Sequence, residues 1–293
     1  MAETKAAFRR RLGRLLSILR TATTSGTGDT NTFIAVSLTD HYPSDDSLNG
    51  ASVYDVTGAE WRRVTDWLAS TGTGDVNRVF SASQASGRAI EIYEQFTPDD
   101  LDFALQMAVT ECYPYVATRV VDTTLLGIAN QYEYTVPAAI RDLERMRGGR
   151  VQYEVNEAVS TFPYADLATW EVRQSGETQT LVLPSVSGMV GRTIRLIGWG
   201  IPAYPSTDAT SIPLEEDTLQ LLAYKAAEIA WRSGSRTPGR DAEFSTVMAQ
   251  RYEEQFTKMR DVWGVKMVPG SLRPPEGLPY VEAPLSYYRA TPG

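Results

Sequence analysis

Chemistry built on imidazole or thiol has little to draw on in this chain: His41 is its only histidine and Cys112 its only cysteine. A relay of the Ser-His-Asp or Cys-His kind has to include one of them. His41 stands in TDHYPSDDSLNG beside Asp40, Asp45 and Asp46. Those oxygens suit calcium, but the loop spacing closed by a glutamate is missing, and a solvated turn explains the composition. Cys112 continues the apolar spacing of Leu101, Leu105 and Ala108, so it is read as a small core residue. Two GTGD copies occur, in SGTGDTN (25–31) and TGTGDVN (71–77). Neither continues into Gly-Lys-Ser/Thr, so neither is a phosphate loop, and each is expected to be a turn preceding a strand. GMVGRT lacks the dinucleotide fingerprint and opens a strand, and no Gly-x-Ser-x-Gly elbow occurs. Glu215 and Glu216 could in principle form a carboxylate pair for glycoside hydrolysis. Their place at the start of an apolar-periodic stretch assigns them instead to a helix N-terminus. Glu253 and Glu254 fall on the charged side of another helix. No convergent acid, base and nucleophile emerges, so neither catalysis nor a cofactor or metal is expected.

The charge is divided unevenly. Of 28 basic and 36 acidic residues, residues 1–20 hold six basic ones (Lys5, Arg9, Arg10, Arg11, Arg14, Arg20) against Glu3 alone. The remainder is acidic, which argues against a broad DNA-binding face but suits a surface along which DNA slides. The N-terminal stretch has no secretory pattern, since arginines interrupt its apolar residues. No run of eighteen apolar residues is present, so no membrane partner is expected.

Stepping along the chain, residues 3–20 read as a basic amphipathic helix, with Phe8, Leu12, Leu15, Leu16 and Leu19 on one side and Arg9, Arg10, Arg14 and Arg20 elsewhere. It is expected to pack on its own body or a sister subunit. Residues 24–96 read as β-rich, with NTFIAVSL, ASVYDVT, EWRRVTDWL, VNRVFSA and RAIEIYEQF as strand candidates. FTPDDLDFALQMAVTECY reads as a helix with Thr97 as N-cap and Pro98 in its first turn. Strands follow in QYEYTVP, RVQYEV, the hairpin TWEVRQSGETQTLVLP turning at Ser175-Gly176, and RTIRLIGWG. A proline-rich crossing leads to two helices. IPLEEDTLQLLAYKAAEIAWRSG (212–234) has one polar strip, Gln220, Lys225, Glu228 and Arg232, and an apolar side wide enough to need two covers, the following helix on one flank and the β-rich domain, another subunit or both on the other. The next helix, within 239–263, carries Phe244, Val247, Met248, Tyr252, Phe256, Met259 and Trp263 as its stripe. The proline-rich tail is expected to be an extended arm that docks through its apolar residues.

That order of elements resembles phage head-to-tail adaptor (connector) proteins. An acid-capped, alanine-rich helix after a proline crossing, then an amphipathic helix, is similar to their C-terminal half. EIYEQFTPDDLDFALQMAV resembles their strand and first long helix, VDTTLLGIANQYEYTVPAAIRDLERM the segment after it, and WEVRQSGETQTLVL with GRTIRLIGWG their inserted β domain. The resemblance spans residues 90–263. It implies an α+β fold: a helical bundle, made of a long helix plus a C-terminal helical hairpin, with an inserted antiparallel β domain, a β-rich N-terminal region and an extended C-terminal arm. The expected divisions are 1–23 (basic helix), 24–96 (β-rich), 97–118 with 212–264 (helical core), 119–211 (inserted β domain) and 265–293 (arm). It implies a structural virion protein at the neck, a homo-oligomeric ring of about a dozen copies, joining portal protein to a downstream neck or tail protein. Genomic DNA would pass through without sequence-specific binding. Leu222, Ala226, Trp231, Leu272, Tyr280, Tyr287 and Tyr288 are the expected interface residues. The other readings are a tail or baseplate protein and a glycan- or receptor-binding module.

Overall fold

The computed structural model describes residues 3–143, 149–155, 164–176, 178–186, 188–234 and 241–267. Its contacts divide the chain into two compact units, the first comprising Met1–Tyr113 and Pro202–Val265. This unit opens with strand β1 (Glu3–Thr4) and helix α1 (Lys5–Leu15), which is capped by the Thr4 hydroxyl accepting from Ala7 N–H at 3.2 Å. The helix is shorter than 3–20. Ser17 takes a positive φ of 59°. Ile18 N–H then returns to Gly13 C=O and Ser17 N–H to Arg14 C=O, both at 3.0 Å. This is a Schellman ending without the usual glycine. It frees the next residues to become a strand.

Six antiparallel strands follow: β2 (Leu19–Thr23), β3 (Thr32–Ile34), β4 (Ser52–Asp55), β5 (Glu60–Leu68), β6 (Thr73–Val76) and β7 (Ala89–Tyr93). They form one sheet in the order β2-β7-β4-β5-β6-β3. Beyond β2, Ser25 N–H donates to Ile34 C=O at the end of β3 at 2.8 Å, so the two edges meet. The sheet wraps a core of Phe33, Leu38, Val53, Trp67, Ile90 and Ile92. The Phe33 and Trp67 rings stack at 6.2 Å, and Trp67 Nε1–H donates to Tyr42 C=O at 3.0 Å. The second GTGD copy does not precede its strand; it largely is the strand. β6 covers Thr73–Val76, while most of VNRVFSA lies beyond it. Packing explains the placement. Gly74 pairs with Phe33 across the ladder, and a Cβ there would lie 2.4 Å from the Phe33 ring. Only glycine lets that ring lie flat on the strand. Helix α2 (Pro98–Glu111) has the expected start. Thr97 accepts from Asp100 N–H, the Asp100 carboxylate accepts from Thr97 N–H, and Pro98 sits in the first turn.

The second unit's strands lie within Pro114–Ile201. They are β8 (Thr118–Leu126), β9 (Glu133–Thr135), β10 (Arg150–Glu154), β11 (Tyr164–Asp166), β12 (Glu171–Ser175), β13 (Thr178–Val182) and β14 (Thr193–Gly200). Two antiparallel sheets, β11-β10-β14-β8 and β12-β13-β9, share a core of Tyr134, Val151, Leu181, Leu183, Ile194 and Leu196. The hairpin turns at Gly176, with φ of 59°, one position on from the expected Ser175-Gly176 turn, because Ser175 still pairs with Thr178.

The first unit resumes with β15 (Ser211–Ile212), which pairs with β1, then α3 (Glu216–Gly234) and α4 (Ala242–Met267). Asp241 caps α4, its carboxylate accepting from Phe244 N–H at 3.0 Å. α4 runs to Met267, past the 264/265 division expected from the sequence.

The expected α+β helical bundle with an inserted β domain is therefore not the architecture. The protein is β-rich, with four α-helices and many antiparallel sheets among the described residues, including the six-stranded one. The reason is in residues 19–93. Their apolar side chains close a core of their own, so this segment is a full sheet and not an appendage on helices. Of the expected arm, 265–293, the first three residues belong to α4 and 268–293 lie outside the described residues.

Candidate functional site

The densest concentration of buried charge in the first unit is centred on Arg9, which is 2% exposed. A helical wheel places Lys5 within the arc of Phe8, Leu12 and Leu16 and Arg9 at its edge, so α1 turns both cations toward the protein interior. Arg9 was expected away from the apolar side of the helix, together with Arg10, Arg14 and Arg20, yet it is buried. Its guanidinium donates from Nη1 to Asp102 Oδ2 and Asp208 Oδ1, both at 3.0 Å, and from Nη2 to Asp208 Oδ2 at 2.6 Å. The forked geometry with Asp208 is the strong form of this pair. Lys5 Nζ reaches Asp102 Oδ2 at 2.9 Å. Tyr54 O–H donates to Asp208, and Tyr204 O–H to Asp102 at 3.3 Å. The guanidinium also lies 4.6 Å from the Tyr54 ring centroid. One network thus ties α1, α2, β4 and the crossing before β15.

Electrostatics follow from that geometry. Burial opposes the Arg9 charge, but the Asp208 hydrogen bond and the Asp102 charge outweigh it and raise the Arg9 pKa. Burial would raise Asp208 as well, yet the hydrogen bonds from Arg9 and Tyr54 hold it below the usual carboxylate value. Desolvation pushes Tyr54 and Tyr204 up, reinforced by the hydrogen bond to Asp208 and the charge of Asp102 respectively. These shifts keep Arg9, Asp208, Tyr54 and Tyr204 in their neutral-pH forms, which suits a lock between elements and not proton transfer.

A second network surrounds α3. Glu228, 1% exposed, pairs with Lys225 at 2.8 Å and with Arg232. Lys225 also reaches Glu111 of α2 at 2.9 Å and lies 5.6 Å from the Phe256 ring of α4. Gln220 Oε1 accepts from Arg11 of α1 at 3.2 Å. The polar strip of α3 is therefore turned toward neighbouring helices of the same chain. Trp231 lies edge-on to Phe96 at 5.2 Å and to Phe244 at 5.5 Å.

The expected interface residues divide as follows. Leu222 and Ala226 are fully buried and Trp231 is 4% exposed, all three covered by their own chain. The following helix, α4, reaches α3 through Phe244 and Phe256 as one expected cover, and α1 and α2 supply the other, which was expected from the β-rich domain or another subunit. Leu272, Tyr280, Tyr287 and Tyr288 lie outside the described residues. On α4 the inward positions are Ser245, Ala249, Tyr252 and Phe256, whereas Phe244 and Val247 are 50% and 55% exposed. The expected stripe was rotated because Ser245 and Ala249, being small, carry little hydrophobic signal. His41 is exposed. Asp45 accepts from Ala69 N–H and Asp46 from Asn49, which ties both into turns. Among the described residues no group of three or more His, Cys, Asp or Glu could hold a metal ion. No described helix is long and apolar enough to cross a membrane. Cys112 is 1% exposed, and burial pushes its thiol up to about 12.

Sequence reasoning missed Asp102, Asp208, Tyr54 and Tyr204. The available signal was Lys5 within the apolar arc and Arg9 at its edge, cations whose burial demands carboxylates somewhere in the chain. No family model and no curated protein matches the chain.

Proposed function

We propose that this chain is a structural virion protein of the head-to-tail adaptor kind. In this reading copies associate into a ring below the portal, meet a downstream neck or tail protein, and let genomic DNA pass through. The observation that carries the docking part is an apolar tip on the second unit. Leu126, Ile128 and Val190 are 54%, 53% and 54% exposed. They gather there because Gly127, between the first two, bridges directly to Val190. Three aliphatic side chains held half in water on a rigid ladder suit burial against another protein. The order of the elements, from β7 and α2 through the second unit to α3 and α4, supports the adaptor reading, as does the acidic composition, which limits trapping of phosphate. The test is negative-stain microscopy of the full chain alone, mixed with portal protein and mixed with tail-tube protein. Rings with a central channel that co-purify with portal are the expected result. A chain that stays monomeric in both mixtures, or that binds only tail-tube protein, overturns this reading.

A further inference from the structure

Two shallow concavities flank α1, and their linings differ in sign. One, of about 340 Å³, is lined by Arg10, Arg11 and Arg14 against Glu3, with Ala7 between them. The other, of about 450 Å³, includes Asp99, Asp102, Phe103 and Gln106 of α2 with Lys5 at its edge. The wheel sets the first group on one side of α1 and Lys5 with Arg9 on the other, about 180° away. The two concavities therefore belong to opposed sides of the same helix.

Each concavity has an unfinished member. Arg14 is exposed, and its side chain has no partner among the described residues. Its neighbours differ: Arg10 is paired with Glu91, and Arg11 with Glu3 and Glu216. In the other concavity, Phe103 is 56% exposed, whereas Leu101 and Leu105 of the same helix are fully buried. Asp99 uses Oδ2 to accept from Trp61 Nε1–H at 2.9 Å, and its other oxygen has no partner among the described residues. A free guanidinium on one side and an open aromatic face beside a half-used carboxylate on the other are complementary chemistry.

We infer that these concavities meet between two copies of this chain, with Arg14 of one copy lying over Phe103 and against Asp99 of the next. Because the two faces differ, the contact is heterologous, the type that does not stop at a dimer and closes into a ring when the rotation between copies closes. This rests on the ring reading above and names its subunit contact.

The experiment measures the assembly state of the full chain by sedimentation velocity and native mass spectrometry, for wild type, R14E, F103R and the double variant. Both positions are exposed, so folding is preserved, and circular dichroism melting checks it. R14E and F103R are each expected to raise the concentration at which half the chain assembles by at least tenfold. The double variant places glutamate opposite arginine and is expected to recover most of that loss. Salt at 0.5 M should weaken the wild-type assembly and the double variant alike. If wild type assembles and neither single variant changes it, this contact is wrong while the ring reading stands. If both single variants weaken assembly and the double variant does not recover, the pairing is likewise wrong. If wild type never assembles, the ring reading itself fails.

Discussion

Arg9 and Asp208 stand 199 positions apart and meet through a two-pronged ion pair, with N–O distances of 3.0 and 2.6 Å. Replacing Arg9 by Met keeps much of its volume and removes the charge. Asp102 and Asp208 are then left without their central cation, which in a buried pair costs about 3–5 kcal/mol. Arg9→Lys is expected to recover only part of this, because an ammonium cannot serve both prongs and the Tyr54 ring at once. Urea unfolding of the two variants beside wild type measures the difference. A loss under 1 kcal/mol for Arg9→Met would show that the network contributes little.

The same pair sets an acid limit. Asp208 is depressed in the folded protein, so it binds protons more weakly there than in the unfolded chain. Its contribution is present above the unfolded carboxylate value of about 3.9 and disappears as pH falls through the lower folded value. Thermal melting between pH 6 and pH 2 is expected to show wild type losing more stability than Asp208→Asn below about pH 4. Parallel curves for the two proteins would contradict the assignment.

Leu222 and Ala226 of α3 are fully enclosed by their own chain. Leu222→Ala is expected to cost about 2–5 kcal/mol through the cavity it leaves. Ala226→Leu overfills a close helix contact and costs about 1–3 kcal/mol. Both losses should appear at protein concentrations too low for assembly. Were they subunit contacts instead, the dilute chain would unfold like wild type.

Cys112 supplies a kinetic readout of the helices. With its thiol near 12, only about one part in ten thousand is thiolate at pH 8. Labelling by a disulfide reagent is expected to be slow in the native chain and fast in denaturant. Leu222→Ala should accelerate it, because the loosened α3 lets α2 open more often. Rapid native labelling would place the thiol at the surface.

Much of the local structure was legible because its causes are local. The Thr97 cap, the Pro98 start of α2 and the Gly176 hairpin turn each depend on neighbours within a few residues. Ser17 was not legible as a helix stop, because a serine at positive φ carries no signal that distinguishes it from a serine in a loop. The strand at Thr73–Val76 was hidden by Gly74, which ranks as a breaker until Phe33 is known to lie across it. The lining of the candidate site was equally hidden. Asp102 and Asp208 look solvated in isolation, and only the three-dimensional return of the crossing onto α1 turns them inward. The architecture was misjudged for the same reason: helix periodicity is conspicuous, whereas six short strands declare one shared core only through long-range pairing.

The first unit is interrupted, leaving off at Tyr113 and resuming at Pro202. During synthesis α1 and α2 emerge well before α3, the helix that covers their apolar sides. The strands of the second unit all lie within Pro114–Ile201 and can close their core while the first unit still waits for its centrepiece. The ribosome thus delivers the interrupting segment as a finished piece before the piece it interrupts. Nascent chains stopped near residue 200 would present Leu101, Leu105 and Ala108 to any chaperone at the tunnel exit. Those released after residue 234 would not.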